Sequence, residues 1–357
     1  MKIPIQNIYF LLAYAWNSLQ EARSIAVSQE ACRTLPDLFA RVLVGGVNQL
    51  LRRGLDRDYL TEEVNTTCPR GKFDLAATLK YGLLLKNQVR CSVDTLTHDV
   101  LHNQIIRATL RNLSRCEGLD RSLRNQLLQL HHTLHEISEI ELRLTLFSQV
   151  RLHRNNGHYQ FLMHICRLVF DNLLIDEKTG RYHFQDFLRD DRQMAVLFEQ
   201  FIRNFYRQEQ SSFRVGSKSF PWQEVEASDG DIRFLPLMKT DVSLTSFDRE
   251  VTIEAKYYSE LFQGRFGPEK VRSAHLYQLF TYLRNLQVGT NRPAAVEGIL
   301  LYPTVDRPVD LTYRIHGHPL RVATLNLNTD WQQIHLRLLS LLNSVSNILP
   351  ETFSENS

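Results

Sequence analysis

The sequence predicts an α+β protein, closer to α/β in its second half: a mainly helical N-terminal domain, residues 1–180, then a domain of alternating strands and helices, residues 181–357. Three observations predict this. Before residue 175, apolar side chains recur at spacings of three and four, as in Leu101, Ile105, Ile106 and Leu110. After residue 230, short β-branched runs appear, such as Val251, Thr252 and Ile253. Between the halves, D-E-K-T-G-R-Y-H-F at 176–184 is polar and turn-forming.

In chain order, Pro4 to Leu19 is expected to be a buried aromatic helix and not a secretory leader, with Gln6 and Asn7 ahead of its apolar run and no small-residue cleavage site after it. Pro36 sits in the first turn of a second helix that stops at Gly54, and Gly45 and Gly46 inside it imply close packing or a kink. Tyr59 to Leu79, with turns at Pro69 and Gly71, is expected to be a hairpin or extended finger. Helices follow at Asp99 to Cys116, Asp120 to Leu134 and Tyr159 to Leu174. The second half is expected to hold a helix at Gln193 to Tyr206, with Val196 and Leu197 on its apolar face. Strands are expected at 232–238, 242–247, 251–256, 296–302 and 321–327, with helices at 269–286 and 331–348.

At 357 residues and 43% hydrophobic content the chain can bury a sizeable core, and no run approaches a membrane span. A net charge of +3 is no global nucleic-acid signature, so local basicity must carry any DNA contact. Arg265, Lys270 and Arg272 are the best placed group. Cys32, Cys68, Cys91, Cys116 and Cys166 are odd in number and widely spaced, which fits a reducing cytoplasm better than a disulfide framework. His98 with His102, and His131 with His135, have helical i,i+4 spacing but no H-E-x-x-H. G-S-K-S at 216–219 lacks the upstream glycine of a phosphate-cradling loop, so this chain is not expected to bind nucleotide by itself.

The most informative stretch is Thr240 to Lys256, T-D-V-S-L-T-S-F-D-R-E-V-T-I-E-A-K. Side chains alternate along a strand, so Glu254 and Lys256 share a face while Val251, Ile253 and Ala255 take the other. A turn after 245 brings Asp241 back beside Glu254. Two carboxylates in one pocket repel unless a cation sits between them, and hard oxygen ligands suit Mg²⁺, with Mn²⁺ as a substitute; the Ala255 carbonyl is a further candidate ligand. Lys256 is then placed to orient the attacking water or stabilise the phosphate. Gln278 and Tyr282, four apart on the next helix, can present polar groups to the same place.

The pattern D-x12-E-x-K followed by Q-x3-Y resembles the PD-(D/E)xK nuclease superfamily, in the RecB-like variety. I-P-I-Q-N-I-Y-F-L-L-A-Y-A-W-N at 3–17, R-R-G-L at 52–55, P-R-G-K-F-D at 69–74, E-A-K-Y-Y at 254–258 and L-Y-Q-L at 276–279 resemble the McrC family. These are the nuclease subunits of McrBC modification-dependent restriction systems. Some members place Asp where this chain has Glu254, and Thr240 stands where the superfamily's name has Pro. The resemblance implies a restriction-endonuclease-like domain with a central mixed sheet flanked by helices. It also implies Mg²⁺-dependent cleavage of double-stranded DNA carrying modified cytosine, and a partner, an McrB-like AAA+ GTPase hexamer, that the N-terminal half engages. Glu199, on the 193–206 helix, is a candidate third acid, or an ordinary surface residue. Arg70 and Lys72 are candidates for contact with the partner. Two other readings stay open: a non-cleaving adaptor with a nuclease-like fold, and a stand-alone repair nuclease or junction resolvase.

Overall fold

The computed structural model describes residues 3–25, 32–153, 156–175, 181–258, 262–263, 270–289, 295–304 and 308–343. Its contacts divide the chain into two units, one formed by Met1–Arg33 with Asp186–Ser357 and the other by Thr34–Gln185. The opening helix α1 (Ile5–Ala15) therefore belongs with the C-terminal half, not with the helical half that follows it.

The reason lies in α1 itself. Ile8, Tyr9, Leu11, Leu12, Ala13 and Tyr14 are all buried, so the helix needs apolar neighbours nearly all round. Phe10 and Tyr14 stack on Trp331, at 4.7 and 5.4 Å between ring centroids. Asn204 donates to the carbonyls of Tyr14 and Ala15 at 3.0 and 2.9 Å, satisfying two orphans of the helix C-terminus.

In the middle unit, α2 (Leu35–Arg53) begins where the Thr34 hydroxyl accepts from the Asp37 N–H and ends at Gly54, at φ +89°. Gly46 marks close packing, since a Cβ there would lie 2.5 Å from Leu162. The unit's sheet contains β1 (Asp58–Thr66), β2 (Lys72–Asp74) and β3 (Val89–Thr97), in the order β1-β3-β2. This corrects the expected hairpin within 59–79. β1 pairs along its whole length with β3, from Asp58 opposite Thr97 to Thr66 opposite Val89, and β2 lies on the other side of β3. β3 escaped prediction because its residues are mostly half-exposed or exposed, leaving no alternation of apolar and polar faces. The unit's longer helices after the sheet are α3 (Leu101–Ser114), α4 (Arg121–Thr133) and α5 (Gly157–Asn172).

The other unit carries α6 (Asp191–Glu209), β4 (Arg214–Gly216), β5 (Val242–Thr245), β6 (Arg249–Ala255), α7 (Ser273–Gly289), β7 (Ala295–Thr304), β8 (Asp310–Ile315), β9 (His318–Asn326) and α8 (Trp331–Ser340). Its six-stranded sheet has the order β8-β9-β7-β6-β5-β4, with β6, β7 and β9 parallel and the outer strands antiparallel, giving the expected mixed sheet. β8 was not expected. The strand predicted at 232–238 is a short helix at Asp229–Ile232 and a two-residue strand at Met238–Lys239, and Val196 is exposed, with Met194, Phe198, Phe201 and Phe205 forming the buried face of α6.

On one face of the sheet, Val296, Leu300, Tyr302, Leu320 and Val322 pack under Leu279, Leu283 and Leu286 of α7. Gly298 permits the close approach, because a Cβ there would fall 2.8 Å from Leu283 and 3.0 Å from Leu279. On the opposite face Arg249 forms a two-pronged pair with Glu297, at 2.9 and 3.0 Å.

Candidate nuclease site

The site gathers where parallel strands β6 and β7 end and α7 crosses them. Ile253 lies opposite Val242 across the antiparallel pair, which puts Asp241 at the mouth of β5 beside the last residues of β6. Asp241 Oδ2 accepts from the Ala255 N–H at 3.0 Å, and Arg203 Nε of α6 donates to the Asp241 carbonyl at 3.0 Å. Both the backbone and the carboxylate of Asp241 are thus held.

Glu254 is fully buried, and among the described residues its oxygens have the Lys256 ion pair but no well-formed hydrogen bond. Burial first, and then the adjoining Asp241 carboxyl, hold the Glu254 pKa well above the carboxylate range, with Lys256 opposing. Lys256 Nζ lies 3.2 Å from Glu254 Oε2 and donates to Gln278 Oε1 at 2.9 Å, while the Gln278 amide donates to the Tyr282 hydroxyl at 2.9 Å. One chain of contacts therefore joins Glu254, Lys256, Gln278 and Tyr282.

A buried carboxylate with unused lone pairs next to a second carboxylate is a site whose charge asks for a cation, and these oxygens fit Mg²⁺. Ala255 meets Asp241 through its N–H. Glu199 is paired with Arg203; burial first, then the charge of Asp241, raises its pKa. Among the described residues no three His, Cys, Asp or Glu side chains converge on one point, so the structure brings together Asp241 and Glu254 and leaves Glu199 in its ion pair.

Of the basic candidates, Arg272 lies over the Tyr258 ring at 5.0 Å, Lys270 is exposed on the short strand Lys270–Val271, and Arg265 lies outside the described residues. Arg70 and Lys72 are exposed in the other unit, in the β1–β2 connection and at the start of β2.

Three features went unread in the sequence. Glu250, Thr252 and Glu254 share one face of β6, all buried, with Lys218 paired to Glu250 and the Thr252 hydroxyl lacking a hydrogen-bond partner among the described residues. The signal was present, since E-V-T-I-E alternates polar and apolar residues with period two. His275, at i−3 from Gln278 and i−7 from Tyr282, shares their helix face, and its Nδ1 lies 2.8 Å from the Tyr302 hydroxyl. Arg203 on α6 reads in the sequence only as a basic helix residue, and its contact with Asp241 had no signal there because it spans 38 residues.

Residues 5–303 match the family model described as McrBC 5-methylcytosine restriction system component. The chain belongs to this family. Over 339 residues it is 33% identical to the type IV methyl-directed restriction enzyme EcoKMcrBC of Escherichia coli K12, covering 95% of this chain and 97% of that protein. The fold is similar to that of a chain in a half-complex from a tetradecameric assembly of Thermococcus gammatolerans McrB AAA+ hexamers with bound McrC. The TM-score is 0.53 at 18% identity, over 97% of this chain and 77% of that one. Among the described residues of this McrBC family member, no helix is long and apolar enough to cross a membrane.

Proposed function

We propose that this chain is the DNA-cleaving, McrC-type subunit of a modification-dependent restriction complex, hydrolysing phosphodiester bonds of double-stranded DNA with Mg²⁺, or Mn²⁺ in its place. The observation that carries the reading is the pairing of half-buried Asp241 with fully buried Glu254, with Lys256 beside them. Asp241 and Glu254 would hold the metal, which when bound neutralises charge on the scissile phosphate and acidifies a water. Lys256, anchored by Gln278 and through it by Tyr282, places a cation where charge builds on the phosphate oxygens. The Ala255 N–H and Arg203 hold Asp241 in register for this work.

The partner in this reading is an McrB-like AAA+ GTPase hexamer, which recognises the modified cytosine. The three-stranded sheet of the middle unit and the short helical segments between β2 and β3 support an interaction role, because Tyr59 and Phe73 on the strands and Leu75, Leu79 and Leu85 on those segments are exposed, Leu85 at 94%. Arg70 and Lys72 add positive charge to that surface.

The test is cleavage of methylated plasmid by the wild-type chain and by Asp241→Ala, each reconstituted with the partner, GTP and Mg²⁺, with GTP turnover followed in parallel. Loss of cleavage with GTP turnover retained is the expected result. Undiminished cleavage by the variant refutes the site.

A further inference from the structure

Beside the carboxylate pair, a row of side chains runs from the buried interior to the surface. Tyr302, on β7, is fully buried, and its hydroxyl is 2.8 Å from His275 Nδ1. The His275 ring lies 5.8 Å from the Tyr302 ring and 4.9 Å from the Tyr258 ring. Tyr258 is 44% exposed and carries the Arg272 guanidinium over its face at 5.0 Å. A buried hydroxyl thus fixes an imidazole, the imidazole supports a tyrosine, and the tyrosine seats a cation at the outer end.

The row stands next to the chemistry. Tyr258 is two residues beyond Lys256, and Tyr302 follows Leu301, whose carbonyl accepts from the Lys256 N–H at 2.9 Å. We propose that Tyr258, His275 and Tyr302 form an aromatic shelf that seats Arg272 against a DNA backbone phosphate adjoining the one cut, with His275 as a positioning residue. The inference rests on the nuclease reading and adds to it how the duplex is placed.

The chemistry of each member suits the task. A guanidinium held by its face over a ring bonds phosphate through its edge, in the geometry that distinguishes Arg from Lys. His275 has its pKa lowered to about 4 by burial and by the charges of Lys256 and Arg272. It is therefore neutral at pH 7 and supports Arg272 without adding repulsion between the two cations. The 2.8 Å contact between Nδ1 and the Tyr302 hydroxyl fixes the ring orientation, and in the tautomer where the hydroxyl donates the proton sits on Nε2.

The experiment measures binding of the full-length chain to a fluorescein-labelled 20-base-pair duplex by anisotropy, in EDTA, over a series of salt concentrations. Arg272→Ala should weaken binding several-fold and flatten the slope of log K against log salt by about 0.9, the contribution of one phosphate contact. His275→Phe and Tyr302→Phe should weaken binding in the same direction. The pair His275→Phe with Arg272→Ala should bind no worse than Arg272→Ala alone, since both act through one contact. His275→Gln, which can still bond the Tyr302 hydroxyl, should recover much of the loss.

Wild-type binding by His275→Phe and Tyr302→Phe, or losses that simply add in the double variant, would overturn the shelf. Cleavage assays separate this from the underlying reading. If Asp241→Ala abolishes cleavage while the shelf variants bind as wild type, only the shelf is wrong. If Asp241→Ala cleaves normally, the nuclease reading falls.

Discussion

Replacing Glu254 by Gln should stabilise the metal-free protein at neutral pH while removing its response to Mg²⁺. The carboxyl is fully buried, has no well-formed hydrogen bond among the described residues and adjoins Asp241, and its pKa is pushed up to about 9 from an ordinary 4.5, burial being the main cause. The folded chain therefore keeps this proton where the unfolded chain has released it. Stability from this group is complete below pH 4.5 and falls as pH rises towards 9, because the folded state binds more protons across that window. At pH 7 the gap of two and a half pH units is worth about 3 kcal/mol at 1.36 kcal/mol per unit. Gln is nearly isosteric and cannot ionise, and a protonated Glu254 has no charge for Lys256 to lose. A gain of about 3 kcal/mol corresponds to roughly 6–12 °C for a unit of this size. The assay is scanning calorimetry of wild type and Glu254→Gln from pH 5 to 9, in EDTA and in Mg²⁺. Wild type in EDTA should lose stability as pH rises from 7 to 9 and recover it with Mg²⁺, while the variant should show no such decline in either buffer. A variant less stable than wild type in EDTA at pH 8, together with a wild type indifferent to Mg²⁺, would refute the argument.

Gln278→Ala should lower kcat by about tenfold to a hundredfold, as expected for loss of a group that positions an electrostatic catalyst, because Lys256 Nζ loses its anchor. Tyr282→Phe, one bond further out, should cost less, and steady-state cleavage kinetics rank the two. Gly298→Ala should destabilise the C-terminal unit by about 1–3 kcal/mol, since the new methyl meets Leu283 and Leu279; chemical denaturation measures it. Arg70→Ala with Lys72→Ala should weaken stimulation of partner GTP turnover with DNA-independent folding intact, and unchanged stimulation would remove these residues from the interface. His275→Gln should flatten the acid side of the stability profile. The wild-type imidazole stays neutral in the fold, so stability is complete above about pH 6.5 and is lost as pH falls towards 4.

Much of this was legible in residue patterns. Period two put Glu254 and Lys256 on one strand face, i,i+4 spacing put Gln278 and Tyr282 on one helix face, and the apolar circumference of Ile8 to Tyr14 required burial. Local geometry settles such features, and the chain carries it wherever it goes. Other features depended on pairings between distant segments. β3 lies between β1 and β2, so the middle sheet is not a simple hairpin, and α1 joins the unit that begins at Asp186. The antiparallel register of β5 and β6 sets Asp241 against Ala255, and the parallel step to β7 brings Tyr302 to His275. Arg203, 38 residues before its contact, holds the Asp241 carbonyl. The sequence by itself determined which side chains each element offers and on which face. Only the tertiary structure decided which elements meet, because strand register and helix docking are selected by burial summed over the whole unit, and no single spacing records that sum.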